Sequence, residues 1–299
     1  MGHGVRPSFH GFVSLWLALL MGIIGTQKSF GCPAECTCEP GKVNCQGKKL
    51  HNVPSNIPRT SKELILANNN LTVLPPIELN YLSELVYLDC SHNQLTMDPP
   101  FSFTGTVKLI YLDLSFNRIS YIAHHTLSQL GKLMLLNLSG NANLTLIDAV
   151  AFSGNGMLTY LDVSGCSLRY IDDDTFENLH HLYSLGIHNN PWRCDCALLE
   201  LCTWIEETTI ELSNTDKIIC SEPKSFQGLQ LFGPVQQELH FSCLVHLETK
   251  DFLNMAIIAF CIFIGGMIAA WLVGISTVMY YHPTMRADDE SDDEEYTMI

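Results

Sequence analysis

The residues with the clearest chemistry are the twelve cysteines of this 299-residue chain. Eight of them form two groups of four, namely Cys32, Cys36, Cys38 and Cys45, and then Cys194, Cys196, Cys220 and Cys243. In an oxidising compartment such groups are typical of disulfide frameworks, and a zinc site is the alternative. The secretory features described below and the C-x-C spacings favour disulfides. Spacing alone leaves the connectivity open.

The remaining cysteines are Cys90, Cys166, Cys202 and Cys261. We expect buried free thiols at all four positions, and Cys202, which lies between Cys196 and Cys220 of the second group, is the one for which we expect chemical lability.

No residues are arranged for catalysis. The pairs His124-His125 and His180-His181 lack carboxylates at metal-ligand spacing, and the chain has no nucleophile–base arrangement, phosphate loop or paired catalytic carboxylates. We therefore expect no metal, no cofactor and no enzymatic activity. The net charge of −15 also argues against nucleic acid as a partner.

Both ends of the chain carry targeting features. An apolar run from Phe12 to Ile24 follows Arg6, which predicts a signal peptide over 1–31, with a signal anchor as the alternative. Residues 252–281 carry no charge and are long enough to cross a bilayer as one helix. Residues 244–251 form a short connector before it and 282–299 an acidic tail after it. The prediction is a single-pass type I protein of the plasma membrane with its N-terminus outside.

A leucine-rich template, L-x-x-L-x-L-x-x-N-x-L, recurs every 24 or 25 residues over 61–191. The asparagine slots of the six copies hold Asn69, Asn93, Asn117, Asn141, Cys166 and Asn190. One copy cannot bury its own leucines, so stacked copies must share a core. The pattern predicts an α/β-type leucine-rich-repeat solenoid with short parallel strands on a concave face. Its ends are sealed by disulfide-bonded caps at 32–60 and 192–243. We expect the fifth repeat to be the softest, because Cys166 satisfies backbone groups less well than asparagine.

The segment Asn190–Cys196 is similar to the cap entry of many extracellular leucine-rich-repeat proteins. Four further segments, Tyr87–Cys90, Lys108–Leu114, Leu247–Phe252 and Cys261–Gly274, resemble the γ auxiliary subunits of large-conductance potassium channels. The resemblance implies a regulator that eases channel opening at less positive voltage, with the pore-forming α subunit as its partner. It also implies the cap pairs Cys32–Cys38, Cys36–Cys45, Cys194–Cys220 and Cys196–Cys243. The chain departs from the family just inside the membrane, where only His282 and Arg286 precede the acidic run.

Two surfaces are candidates for partner binding. The concave face should align Tyr87, Tyr111, Leu135 and Tyr160 in one column, and Asp89, Asp113, Asn137 and Asp162 in the next. We favour ordinary repeat residues over a binding strip there. In the membrane span, small residues recur at Gly266, Ala270 and Gly274, and Phe263 and Trp271 lie beside them. Small residues at this spacing let another helix approach closely, so we favour this face as the channel contact.

Several sites of modification or recognition are also predicted. Sequons begin at Asn70, Asn137 and Asn143, and a glycan on Asn137 would obstruct the concave face. In the tail, Ser291 suits an acid-directed kinase. The end of the chain, with Tyr296, Thr297 and Ile299, suits a sorting signal or a PDZ groove, hence a cytoplasmic adaptor. The alternative to a channel subunit is an adhesion or ligand-binding receptor that uses its concave face.

Overall fold

The computed structural model describes residues 31–97, 103–244 and 249–291. Apart from Gly31, the predicted signal peptide lies outside these ranges. The chain divides into two compact units after His240, and each is described separately below.

The first unit is built on one nine-stranded sheet. In sheet order its strands are β1 Thr37–Glu39, β2 Lys42–Asn44, β3 Glu63–Ile65, β4 Tyr87–Asp89, β5 Tyr111–Asp113, β7 Leu135–Asn137, β9 Tyr160–Asp162, β10 Ser184–Gly186 and β12 Glu211–Leu212. The six repeat strands are β3, β4, β5, β7, β9 and β10, and neighbours pair in parallel so that equivalent positions align. The predicted leucine-rich-repeat fold is confirmed.

The leucines of the template form the core. The middle residue of every repeat strand is fully buried, and one continuous hydrophobic cluster runs from Val43 to Leu239. On the far side of the core the connections contain short elements. These are α1 Pro76–Asn80, the paired strands β6 Tyr121–Ile122 and β8 Leu146–Ile147, and a 3₁₀ turn at Asp173–Phe176. We call the opposite, solvent-facing side of the repeat strands the concave face.

The asparagine slots hold the turns together. The side-chain amide of Asn117 donates to the carbonyl oxygens of Cys90, Leu114 and Ser115 at 3.0–3.1 Å. Its oxygen accepts from the backbone N–H of Leu95 at 2.9 Å. Each such side chain therefore satisfies buried backbone groups of two adjacent repeats, which would otherwise be left unpaired.

Cys166 breaks this pattern, and an inserted residue in the preceding repeat compensates. By the spacing of the other repeats, the slot at Cys166 would accept from the N–H of Leu144. That N–H instead donates to the carbonyl of Asn141 at 2.9 Å, because one extra residue separates Asn141 from the next leucine. The missing acceptor in the fifth repeat is thus replaced locally.

The N-terminal cap extends the sheet. Strands β1 and β2 form an antiparallel hairpin, and β2 pairs in parallel with β3. Disulfides join Cys32 to Cys38 and Cys36 to Cys45, which are the pairs that the family resemblance implies. The Asn69 amide donates to the carbonyl of Cys45 at 2.9 Å, so the asparagine of the first repeat bonds to the backbone of a cap cysteine.

The C-terminal cap closes the other end of the core. It contains β11 Trp192–Arg193, α2 Cys196–Glu207, β12, a 3₁₀ turn at Thr215–Lys217, β13 Cys220–Glu222, a kinked segment at Leu231–Val235 and α3 Gln236–Leu244. A disulfide joins Cys194 to Cys220, and Cys196 and Cys243 are also disulfide-bonded. The Trp192 ring is fully buried, and its N–H donates to the Ile187 carbonyl at 3.1 Å.

The expectation that Cys202 is labile is wrong. Cys202 lies on the inner side of α2 and is fully buried. Burial, with a smaller contribution from the Glu206 carboxylate, raises the pKa of this thiol to about 12. Because the thiolate is the reactive form, burial and the raised pKa argue against lability of Cys202 in the folded protein.

The second unit contains one long helix, α4, from Thr249 to Ser291. Within it, Leu253–Tyr280 is uncharged and long and apolar enough to cross a membrane. The helix begins and ends beyond the predicted span of 252–281. The predicted boundary follows side-chain polarity, whereas a helix continues for as long as its backbone hydrogen bonds are kept.

Candidate functional site

The span presents small residues with open space beside them. Successive residues turn by about 100° around a helix, so Gly266, Ala270, Gly274 and Phe263 lie within one third of its circumference. A methyl group added at Gly266 or Gly274 would meet no atom within 4 Å. The Trp271 side chain is 67% exposed. The helix therefore presents a shallow track flanked by large side chains, to which a second helix can pack closely.

A hydroxyl group lies on the same track, one turn further along. The Thr277 side chain donates to the carbonyl of Gly274 at 2.8 Å. This bond satisfies the hydroxyl within its own helix, as lipid surroundings require.

On the concave face the two predicted columns are in register. The rings of Tyr87 and Tyr111 stack with centroids 4.1 Å apart. Burial is the main cause that raises the pKa of Tyr111, with contributions from Tyr87 and Asp113, so its hydroxyl is protonated at neutral pH.

The second column has a structural task that explains its composition. One carboxylate oxygen of Asp89 accepts from the N–H and the hydroxyl of Ser91, at 2.9 and 2.7 Å. Asn137 makes the same two bonds with Ser139. Asp113 and Asp162 each accept from the N–H two residues further on. These are side-chain-capped turns, which favour Asp or Asn at every copy.

Sequence reasoning missed an aromatic pair at the edge of the concave face. His92 and Phe116 stack with centroids 4.4 Å apart and planes within 5°. Both have left-handed backbones, with φ near +53° and +52°. Their position, just before the asparagine slot, holds only asparagine or glycine in the other four repeats, at Asn68, Gly140, Gly165 and Asn189. That contrast was visible in the sequence and could have identified the pair.

The three sequons lie in different surroundings. The Asn143 side chain is exposed, and Asn70 is half-buried. The amide nitrogen of Asn137 donates to a carboxylate oxygen of Asp113 at 3.1 Å, in the middle of the concave face. Among the predicted tail residues, Ser291 is the last residue of α4, whereas Tyr296, Thr297 and Ile299 lie outside the described residues.

Comparison with known proteins places this geometry in a family. A family model for the leucine rich repeat matches residues 60–119, 91–142 and 108–168, and one for the leucine rich repeat N-terminal domain matches 31–58. Leucine-rich repeat-containing protein 52 of Homo sapiens is 43% identical over 95% of this chain and 90% of its own length. Its Mus musculus counterpart is 34% identical over 93% and 88%.

The chain belongs to the leucine-rich repeat-containing protein 52 family.

The match to leucine-rich repeat-containing protein 52 covers both the repeats and the span. The human match extends over 284 of 299 residues, which leaves 15 outside it, so it includes Leu253–Tyr280. With its disulfide-bonded repeat domain and the one membrane-length apolar helix found among the described residues, the chain is a single-pass membrane protein with an extracellular N-terminal part.

A solved structure, that of human 5T4 (trophoblast glycoprotein), is also similar. It shares 23% identity, covers 74% of this chain and 98% of its own chain, and superposes with a TM-score of 0.43.

Proposed function

We propose that this protein is an auxiliary subunit of a large-conductance potassium channel at the plasma membrane. It eases opening of the pore-forming α subunit by shifting its voltage dependence. Its principal contact is the span face of Phe263, Gly266, Ala270, Trp271 and Gly274, with additional contacts from the repeat domain.

The observation that carries this proposal is the likeness of the span itself. Cys261–Gly274 resembles the γ auxiliary subunits, and the family match continues through this helix. A segment that served only as an anchor would need apolar residues but no particular small-residue track. The track at Gly266 and Gly274 therefore supports a specific helix partner over the alternative of an adhesion receptor.

The energy required sets the scale of the contact. A subunit shifts gating only if it binds the open or activated state more tightly than the closed state. Moving one elementary charge through 100 mV corresponds to about 2.3 kcal/mol. A shift of that size in a channel that moves a few charges needs several kcal/mol, shared among the bound subunits. Helix contacts in membranes contribute about 1 kcal/mol each, so a few subunits are sufficient for a substantial shift.

The test is co-expression with the α subunit, recorded as conductance against voltage. Replacing Gly266 and Gly274 by Leu should leave surface levels normal and abolish the gating shift, because the added side chains prevent close approach. The matched control replaces Gly265 and Ala269 by Leu. These small residues are also open to solvent or lipid but lie on another side of the helix, about 140° and 100° around its axis from Ala270 at the middle of the track.

The control variant should keep the shift. Transfer of the span alone into an unrelated single-pass protein should reproduce part of it. If the Gly266→Leu/Gly274→Leu variant shifts the curve as fully as the unaltered chain, the span is not the contact. If the unaltered chain produces no shift, the channel-subunit proposal itself fails.

A further inference from the structure

A row of apolar side chains runs along five consecutive repeats on the side of the core away from the concave face. Each stands two residues after the buried leucine or isoleucine that follows the asparagine slot, whereas the residue between them is polar in every copy. Its members Tyr121, Leu146 and Tyr170 are 39%, 40% and 50% exposed, and β6 and β8 align the first two side by side. A contiguous exposed apolar patch indicates a surface that another group covers. We call this row the outer column; it consists of Val73, Met97, Tyr121, Leu146 and Tyr170.

A hydrogen bond fixes one ring of the outer column. The Tyr121 hydroxyl donates to a carboxylate oxygen of Asp148, in the next repeat, at 3.0 Å. The ring is therefore directed along the β6–β8 sheet and is not free to rotate into water. A side chain that is already ordered loses little conformational entropy when another group packs on it.

A glycosylation sequon leads directly into the outer column. Asn143 is exposed, and its sequon, residues 143–145, ends immediately before Leu146. At most about 11 Å of extended chain separates Asn143 from Leu146. The first sugars of an N-linked glycan on Asn143 therefore have this surface within reach.

Backbone hydrogen bonds place the sequon between the two segments that carry the tyrosines. On one side, a sequon N–H donates to the carbonyl of Ser120, next to Tyr121, at 3.2 Å. On the other side, the N–H of Ser167, three residues before Tyr170, donates to a sequon carbonyl at 2.9 Å. N-acetylglucosamine, the first sugar, has aliphatic C–H faces that pack on aromatic rings while its hydroxyl groups stay in water. The surface therefore matches the group that the sequon carries, and a glycan attached there leaves little room for a protein partner.

We propose that the N-linked glycan of Asn143 packs its first sugars on Tyr121, Leu146 and Tyr170 and thereby stabilises the repeat domain. The glycan is transferred to the Asn143 amide nitrogen from a donor in which it is linked to a lipid pyrophosphate. A new N–C bond forms at the first sugar, the nitrogen loses one proton, and the lipid pyrophosphate leaves. This role is separate from channel regulation through the span and does not depend on it.

The first repeat supplies a matched control. Asn70 begins a sequon at the equivalent position, with the same Asn-Leu-Thr sequence, but the members of the outer column beside it are Val73 and Met97. Asn70 is also half-buried, whereas Asn143 is exposed. A glycan on Asn70 has no tyrosine of the outer column beside it, so its loss should have a smaller effect.

The test is a double-mutant cycle on the full chain in phosphatidylcholine nanodiscs, read as the thermal midpoint of the repeat domain. The chain is extracted from whole cells, so a variant that is retained inside the cell is also measured. Asn143→Gln and Thr145→Val both abolish the sequon, and we expect each to lower the midpoint by about 2–4 °C. Thr145→Ser keeps the sequon and should keep the midpoint. In a Tyr121→Thr/Tyr170→Thr background, Asn143→Gln should lower the midpoint by less than about 1 °C.

Three results overturn the proposal. The first is an unoccupied Asn143 in glycopeptide mass spectra. The second is an equal effect of Asn143→Gln with and without the two tyrosines, because the glycan would then act without contacting the outer column. The third is an effect of Asn70→Gln that is as large and depends equally on the tyrosines. No channel is present in this assay, so its failure leaves the channel proposal untouched.

Discussion

Exchanging cysteine and asparagine between two repeats tests how the buried backbone groups at the asparagine slots find their hydrogen-bond partners. Asn117→Cys copies the fifth repeat into the third, and Cys166→Asn makes the reverse change. The two slots differ in one respect: the N–H of Leu95 has Asn117 as its acceptor, whereas the N–H of Leu144 donates to Asn141. The substitutions should therefore have very different costs.

The magnitudes follow from the hydrogen bonds. In Asn117→Cys the buried N–H of Leu95 loses its acceptor, which costs about 1–3 kcal/mol, and three carbonyls lose a donor, which adds about 1 kcal/mol. We expect destabilisation of about 3 kcal/mol.

In Cys166→Asn no unpaired N–H is rescued, because the N–H of Leu144 already donates to the carbonyl of Asn141. The Cys166 thiol also donates already to the carbonyls of Leu138 and Ser164, at 3.5 and 3.6 Å. The expected change is below about 1 kcal/mol.

The assay is thermal unfolding of the secreted repeat domain. For a domain of this size, 1 kcal/mol corresponds to about 2–4 °C, so Asn117→Cys should lower the midpoint by about 6–12 °C and Cys166→Asn should move it by less than about 4 °C. Deletion of Asn143, which removes the insertion, should be more damaging with Cys166 than with Cys166→Asn; Asn143→Gln controls for the lost sequon. Equal shifts for Asn117→Cys and Cys166→Asn, or an equal cost of the deletion in both backgrounds, would refute the reasoning.

Three further predictions concern the cap, the thiols and the tail. Cys36→Ala opens a disulfide of nine-residue separation, should cost about 2–3 kcal/mol and should reduce export; normal surface levels would contradict it. Burial raises the pKa of Cys166 and Cys202 to about 12 and that of Cys90 as well. All three thiols should therefore resist maleimide at pH 8 until the protein is denatured, as read by intact mass, and rapid labelling of the native protein would show that they are accessible. Truncation after Arg286 should leave surface expression and the thermal midpoint of the repeat domain unchanged, because 287–295 has no large apolar side chain to bury; a lower midpoint would contradict this.

The sequence by itself determined the architecture. A period of 24 or 25 residues places each leucine at the same point of each turn, so register and core could be predicted without coordinates. The uncharged run at 252–281 likewise predicted the membrane helix, because bilayer thickness and helix rise do not depend on this fold. These signals are local or strictly periodic, which is why they can be read from one chain.

Only the tertiary structure decided how neighbouring repeats share their polar groups. The low reactivity expected of Cys202 could not be recognised from its position beside the cap cysteines, because its burial depends on how α2 packs on the core. The hydrogen bond from the Leu144 N–H to Asn141 and the stacking of His92 on Phe116 depend on backbone angles and on contacts between adjacent segments. The repeat pattern specifies where each repeat lies. The structural roles of residues that depart from the pattern become visible only when the repeats are stacked, because their hydrogen-bond and ring partners belong to a neighbouring repeat.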